Sequence, residues 1–304
     1  MQRAAQEDPQ SEGPEPEKAS RRLSPVGQRW LTAAIVVPIV LIFAWLGGWW
    51  AFAAVTLVVL LGAYELHMMM RHAGYHPIMP ISVGLILLFL VAAMFPPAQH
   101  LLILESGLGA ALLISFPWLF FRKKLDGAFV DWALTLAIAV YLGWSMSFLL
   151  LLRGYELGWP FNHGPWWLLP RGVWWLLTVL LGVWGFDTAA FFTGRYFGRH
   201  KLAPRISPGK TWEGVFGGLV LSTIAVLLCT VSPLGVPWYL AIVLGIVLSC
   251  AAVIGDLAES LIKRQTHVKD SGQIMPGHGG ILDRIDSLMF AVIVVYAFSQ
   301  LVGK

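Results

Sequence analysis

Residues 260–286, SLIKRQTHVKDSGQIMPGHGGILDRID, set a Pro-Gly-His-Gly-Gly turn and a dense group of charges between two long apolar runs. Asp270, Asp283 and Asp286 lie inside this stretch, with Asp256 and Glu259 just ahead of it. Its strong bases are Lys263, Arg264, Lys269 and Arg284. Ionisable groups beside long apolar segments are costly to desolvate, so such a cluster asks for a chemical role. Asp256, Glu259 and Lys263 fall at i, i+3 and i+7, on one helical face. Asp283 and Asp286 repeat the i, i+3 spacing where the next helix should start. Two helix ends therefore present carboxylates to a common loop. Hard oxygen donors suit Mg²⁺, while the bases and the backbone N–H groups of Gly277, Gly279 and Gly280 suit phosphate oxygens. Acids alone would point to metal or proton transport. Acids interleaved with Lys and Arg point to a metal–polyphosphate complex. The bland alternative is a salt-bridged loop without chemistry.

Two further constellations precede it. Asp187 sits inside the apolar run 185–195, GFDTAAFFTGR, with Arg195 eight positions on and near the same face. An aspartate so placed is either a site acid or a helix-stabilising partner of a terminal cation. Residues 207–214, SPGKTWEG, contain Gly-Lys-Thr but are not a P-loop, because Pro204 stands where that motif needs glycine and no strand is expected before it. What remains is a tight turn carrying Ser207, Lys210 and Thr211 and opening a helix, whose N-terminus could bind phosphate or simply be capped. His278 is a candidate phosphate donor. His267 is assigned no role.

The elements that must hold these groups are membrane spans. The 304 residues are 57% hydrophobic and only 12% charged, against about 25% charged in soluble domains, and mean hydropathy is +0.71. The 15 Trp fit interfacial belts. The net charge of +4 is no nucleic-acid signal, because the bases lie in loops between spans. Cys229 and Cys250 lie in apolar runs, without disulfide or zinc spacing. The fold class expected is an all-α polytopic membrane protein. Its parts are a disordered cytoplasmic tail over 1–28, N-terminal transmembrane helices over 29–170 and a C-terminal catalytic region over 171–304. Runs of about 20 apolar residues centre on 30–47, 49–70, 78–95, 100–121, 129–152, 172–193, 214–233, 237–262 and 281–302, giving about nine spans. Loops rich in Lys and Arg alternate with loops that have none, except that Arg153 and Arg171 follow the fifth span. This pattern places the N-terminus in the cytoplasm, the C-terminus outside and every charged constellation on the cytoplasmic side.

The pattern Ser260-x-Ile-Lys-Arg-x4-Lys269-Asp270-x-Gly272, then Pro276-x-His278-Gly-Gly-x2-Asp283-Arg284-x-Asp286, closely resembles the signature of phosphatidate cytidylyltransferases, the CDP-diacylglycerol synthases. The 207–214 and Asp187 segments also resemble blocks of that family, whereas the first half resembles it only in being hydrophobic. Two departures are Gly209, where Lys is frequent, and Met275, where Leu, Ile or Phe is usual. The resemblance implies transfer of the cytidylyl group of CTP to phosphatidic acid, giving CDP-diacylglycerol and pyrophosphate for phospholipid synthesis. It implies Mg²⁺ at Asp256 and Asp283, with K⁺ as a candidate second ion. It further implies catalytic roles for Asp187, Lys210, Asp256, Lys263, Asp283 and Arg284. Substrate-binding roles fall to Ser207, Thr211, Arg264, Lys269, Asp270, His278, Gly279, Gly280 and Asp286. Partners would be CTP, phosphatidic acid and the bilayer of a bacterial inner membrane, with a homodimer as a candidate assembly and no nucleic acid. Competing readings are a cytidylyltransferase for an isoprenoid-ether lipid phosphate and, in another class, a cation transporter built on Asp187, Asp256 and Asp283. The absence of an internal repeat and the surplus of bases weigh against transport.

Overall fold

Large apolar side chains such as Leu113, Phe120 and Leu228 lie bare on the outer surface of the helices, as lipid-facing spans require and a water-facing surface would not tolerate at this density. The computed structural model describes residues 25–121, 125–154, 169–272 and 279–302, with side chains from Ala34 onward. Its helices are α1 (Pro25–Leu46), α2 (Gly48–His72), α3 (Met79–Ala92), α4 (Pro97–Phe120), α5 (Ala128–Ile138), α6 (Ser145–Arg153), α7 (Arg171–Phe197), α8 (Trp212–Leu234), α9 (Trp238–Gln265) and α10 (Leu282–Val302). A π-helical segment, Ala139–Trp144, joins α5 to α6, so these form one continuous run.

Among the described residues, seven helices are long and apolar enough to cross a membrane: α2, α4, the α5–α6 run and α7 to α10. The third expected span is shorter than the apolar run suggested. Pro80 opens α3 and the helix stops at Ala92, so it has 14 residues, about 21 Å of rise. Most of the tail expected over 1–28 lies outside the described residues, but α1 begins at Pro25 and takes in its last four positions. The all-α expectation fails in one place. Strands β1 (Lys201–Ala203) and β2 (Ser207–Thr211) pair antiparallel as a hairpin between α7 and α8. A turn had been expected there, because neither short segment carries an alternating apolar pattern.

One hydrophobic core runs through both halves of the chain, from Val59 and Leu66 in α2 to Val179 in α7, Leu248 in α9 and Met289 in α10. Close helix approach rests on small residues, as expected where lipid supplies no hydrophobic drive between helices. A Cβ at Gly218 would strike Phe186, one at Gly217 would strike Thr193, and one at Gly245 would press on the Thr223 backbone. The two arginines that break the loop-charge pattern are bound to helix ends. Arg153 donates to the carbonyls of Ala44 at 2.8 Å and Trp45 at 3.0 Å, and Arg171 donates to Leu234 at 3.3 Å. Each thus satisfies carbonyls in the last turn of α1 or α8, where a cation is favoured by both hydrogen bonding and the helix dipole.

Candidate active site

The opposite end of the bundle gathers the charged residues. Helices α9 and α10 touch backbone to backbone there, because Gly255 has no side chain: a Cβ would run into the Asp286 carbonyl. That approach brings Asp256 on α9 beside Asp286 on α10. Asp187 from α7 joins them, within electrostatic reach of Asp256, Lys210 and Arg284, and Asp286 is within reach of Asp256, Asp187 and Lys263. The hairpin reaches over the end of α9. Lys210 Nζ on β2 lies 2.7 Å from Asp256 Oδ2, and Arg264 Nε donates to the Ile206 carbonyl at 3.1 Å, tying the hairpin to α9. Ser260 donates to Asp256 Oδ1 at 3.3 Å.

Lys263 is held between two acids, 2.6 Å from Glu259 Oε2 and 2.7 Å from Asp283 Oδ1. The cation on Asp283 comes from 20 residues away in the chain. Asp283 Oδ2 accepts from Ser271 N at 3.2 Å, Ser271 Oγ at 3.0 Å and Gly280 N at 2.8 Å. The last contact resembles the reach-back half of a capping box at the start of α10. Glu259 is fully buried and its Oε1 has no hydrogen-bond partner among the described residues; the same holds for the buried Tyr141 Oη. Tyr141 projects from the π-helical segment within electrostatic reach of Asp286, Glu259 and Asp256.

Several sequence expectations change. Thr211 is 5% exposed and its hydroxyl accepts from Gly214 N at 3.2 Å, so it is the N-cap of α8 rather than an open phosphate donor. The Gly280 N–H, expected to face phosphate, is given to Asp283. Gly279 does take a left-handed φ of 81°, which favours glycine. Lys269, Asp270 and Arg284 are exposed at the same end, while Ser207 is partly buried in β2. Gly277 and His278 lie outside the described residues. The residue the sequence reading passed over is Glu65 in α2. It is 3% exposed, and it accepts from Ser271 Oγ, Ile281 N and Leu282 N. The signal was present: a lone acid in an apolar span calls for a partner.

The donor chemistry fits a hard divalent cation. The donors are carboxylate oxygens: Asp256 and Asp283 each hold an ammonium group, and Glu259 keeps a buried oxygen without a partner among the described residues. Among the described residues no three acidic, His or Cys side chains form a ready-made shell. Mg²⁺ commonly completes a shell of one or two carboxylates with water and substrate phosphates, so two acids suffice.

The fold and site together define an integral membrane protein with a charged, oxygen-rich centre at one end of its helices. The chain belongs to the cytidylyltransferase family, whose profile matches residues 27–302. The likeness therefore covers nearly the whole chain, not only the part from residue 185 onward. A Synechocystis relative is 34% identical over 295 residues, 89% of this chain and 95% of its own. A Pseudomonas aeruginosa relative is 36% identical over 293 residues, covering 91% and 97%. A Brucella suis relative is 42% identical over 169 residues, and there the match spans 54% of this chain and 56% of the relative. All three are named phosphatidate cytidylyltransferase.

Proposed function

We propose that the protein is a phosphatidate cytidylyltransferase, a nucleotidyltransferase that makes CDP-diacylglycerol and pyrophosphate from CTP and phosphatidic acid. The observation that carries this reading is the pairing of Asp256 with Lys210 and of Asp283 with Lys263 at the facing ends of α9 and α10, in a chain aligned over nine-tenths of its length with relatives of that name. The lipid phosphate is already an anionic nucleophile. Its oxygen attacks the α-phosphorus of CTP, the bond to the bridging oxygen breaks, and pyrophosphate leaves with the electron pair. No strong general base is needed. The task is to bring two polyanions together and stabilise the leaving group.

Lys210, Lys263, Arg264, Lys269 and Arg284 supply the positive charge for the triphosphate and the lipid phosphate. Asp256 and Asp283 would hold Mg²⁺, with K⁺ as a candidate second ion and with Asp187 and Asp286 as supporting acids. When bound, the metal neutralises phosphate charge and polarises the phosphoryl oxygens. Lys210 and Lys263, held by Asp256 and Asp283, would be released toward phosphate oxygens if those carboxylates held a metal. CTP reaches the centre from the cytoplasm and the two-tailed lipid from the leaflet.

Nine crossings, with the N-terminus cytoplasmic and the C-terminus outside, complete the reading. Helix α3 would make the third crossing together with the residues flanking it. Placement in a bacterial inner membrane agrees with the bacterial relatives, and a homodimer remains a proposal. Purified protein supplied with radiolabelled CTP and phosphatidic acid should place label in the lipid extract and release pyrophosphate. No labelled lipid, with substrate and Mg²⁺ present, would overturn the activity.

A further inference from the structure

We propose that Glu65, on α2 and 206 residues before Ser271, is a positioning residue for cytidylyl transfer, acting through Asp283. This rests on the activity proposed above. Helix α10 begins with no side-chain acceptor of its own at Ile281, yet the first N–H groups of a helix need partners. Glu65 supplies them from another helix. Its Oε1 accepts from Ile281 N at 3.0 Å and its Oε2 from Leu282 N at 2.9 Å. A carboxylate at a helix N-terminus is also favoured by the helix dipole.

The same carboxylate reaches the site through Ser271. The Ser271 hydroxyl lies 3.1 Å from Glu65 Oε2 and 3.0 Å from Asp283 Oδ2. One hydroxyl has one proton to give, so Ser271 couples the two carboxylates rather than satisfying each independently. Two glycines of the signature are explained by the same group. A Cβ at Gly272 or at Gly280 would collide with the Glu65 carboxylate. Their smallness makes room for Glu65; in Gly280 the N–H is already committed to Asp283. Every group that Glu65 touches therefore sets the place of Asp283, whose other oxygen holds Lys263. Loss of Glu65 should let the turn shift and move the Asp283–Lys263 pair, while the substrate cations on the hairpin stay where they are.

The test uses the full chain, purified in detergent, as wild type, Glu65→Gln, Ser271→Ala and the double variant. Val59→Ala, a core change in α2 away from the site, serves as the stability control. Glu65→Gln should lower kcat at least tenfold while KM for CTP stays within about threefold. The double variant should lose no more than the worse single change, because both act on Asp283. Val59→Ala should lower the thermal midpoint without that loss of kcat. If Glu65→Gln does not fold, Ser271→Ala carries the same test. A kcat within twofold of wild type in either variant, or additive losses in the double, would overturn the inference. Absence of product from the wild type would overturn the activity itself and the inference with it.

Discussion

Lys210 on the hairpin and Asp256 in α9 form an ion pair at 2.7 Å, joining two segments that the chain separates by the whole of α8. The side chains are only 21% and 32% exposed, so the contact is better shielded than a surface pair. It makes the hairpin part of the site rather than a connection between spans.

Removing the cation should therefore cost more than a surface lysine would. Lys210→Ala should lower turnover by about ten- to a hundredfold, the range for losing one charge-assisted contact of roughly 1.5–3 kcal/mol, while the protein still inserts and purifies. Arg284→Ala should behave likewise. Steady-state assays with CTP and phosphatidic acid decide the matter, and near-normal turnover in either variant removes that residue from the site. Gly209→Lys is the converse case: Gly209 is exposed with open space around it, so lysine there should leave activity unchanged or raise it.

Asp256→Asn and Asp283→Asn should each abolish CTP-dependent product formation, and raising Mg²⁺ should restore little. Asp256→Asn also takes from Lys210 its carboxylate partner near the membrane, a penalty of its own, whereas Asp283→Asn leaves Lys263 paired with Glu259, so folding must be checked by gel filtration. Activity that survives EDTA, or wild-type turnover in Asp283→Asn, would sink the metal assignment. These carboxylates would then be structural partners of Lys210 and Lys263.

Orientation is tested by single cysteines at positions 123, 201 and 269, placed in a chain from which Cys229 and Cys250 have been removed. All three should resist membrane-impermeant thiol reagents in intact cells and react once the membrane is opened. Labelling of position 269 from outside would reverse the topology and the route by which CTP reaches the site.

Gly255→Ala should separate α9 from α10. The added Cβ would strike the Asp286 carbonyl and lie 3.1 Å from Ser287 Cα. Overpacking of this kind costs roughly 1–3 kcal/mol. The thermal midpoint in detergent should fall, and turnover should fall with it as Asp256 and Asp286 move apart. A variant with both values unchanged would show that the two helices can part without disturbing the acids.

Seven long apolar helices and the face shared by Glu259 and Lys263 were legible because each depends on local periodicity or local spacing. Other features depend on neighbours that sequence does not name. The hairpin was missed because five residues of Ser-Pro-Gly-Lys-Thr carry no strand pattern; Lys210 pairing with Asp256 and Arg264 holding Ile206 fasten it to α9. For Thr211 sequence left two roles open, phosphate binding or capping, and the bond from Gly214 N to its hydroxyl shows the cap. Arg153 and Arg171 looked like exceptions to the charge rule, yet their partners are carbonyls at the ends of α1 and α8. Glu65 was passed over because its partners lie in the opposite half of the chain.

The 217-residue separation between Glu65 and Leu282 has a consequence for synthesis. Helix α2 enters the membrane early, while the N–H groups its acid needs belong to the last of the described helices to be made. Until α10 arrives, the growing bundle holds a buried carboxylate lacking those two donors, a state costly enough to keep that region open or hydrated. The closing of the bundle and the completion of the centre are then one event. A ribosome stalled before residue 282 would leave an unsealed precursor rather than a smaller working enzyme.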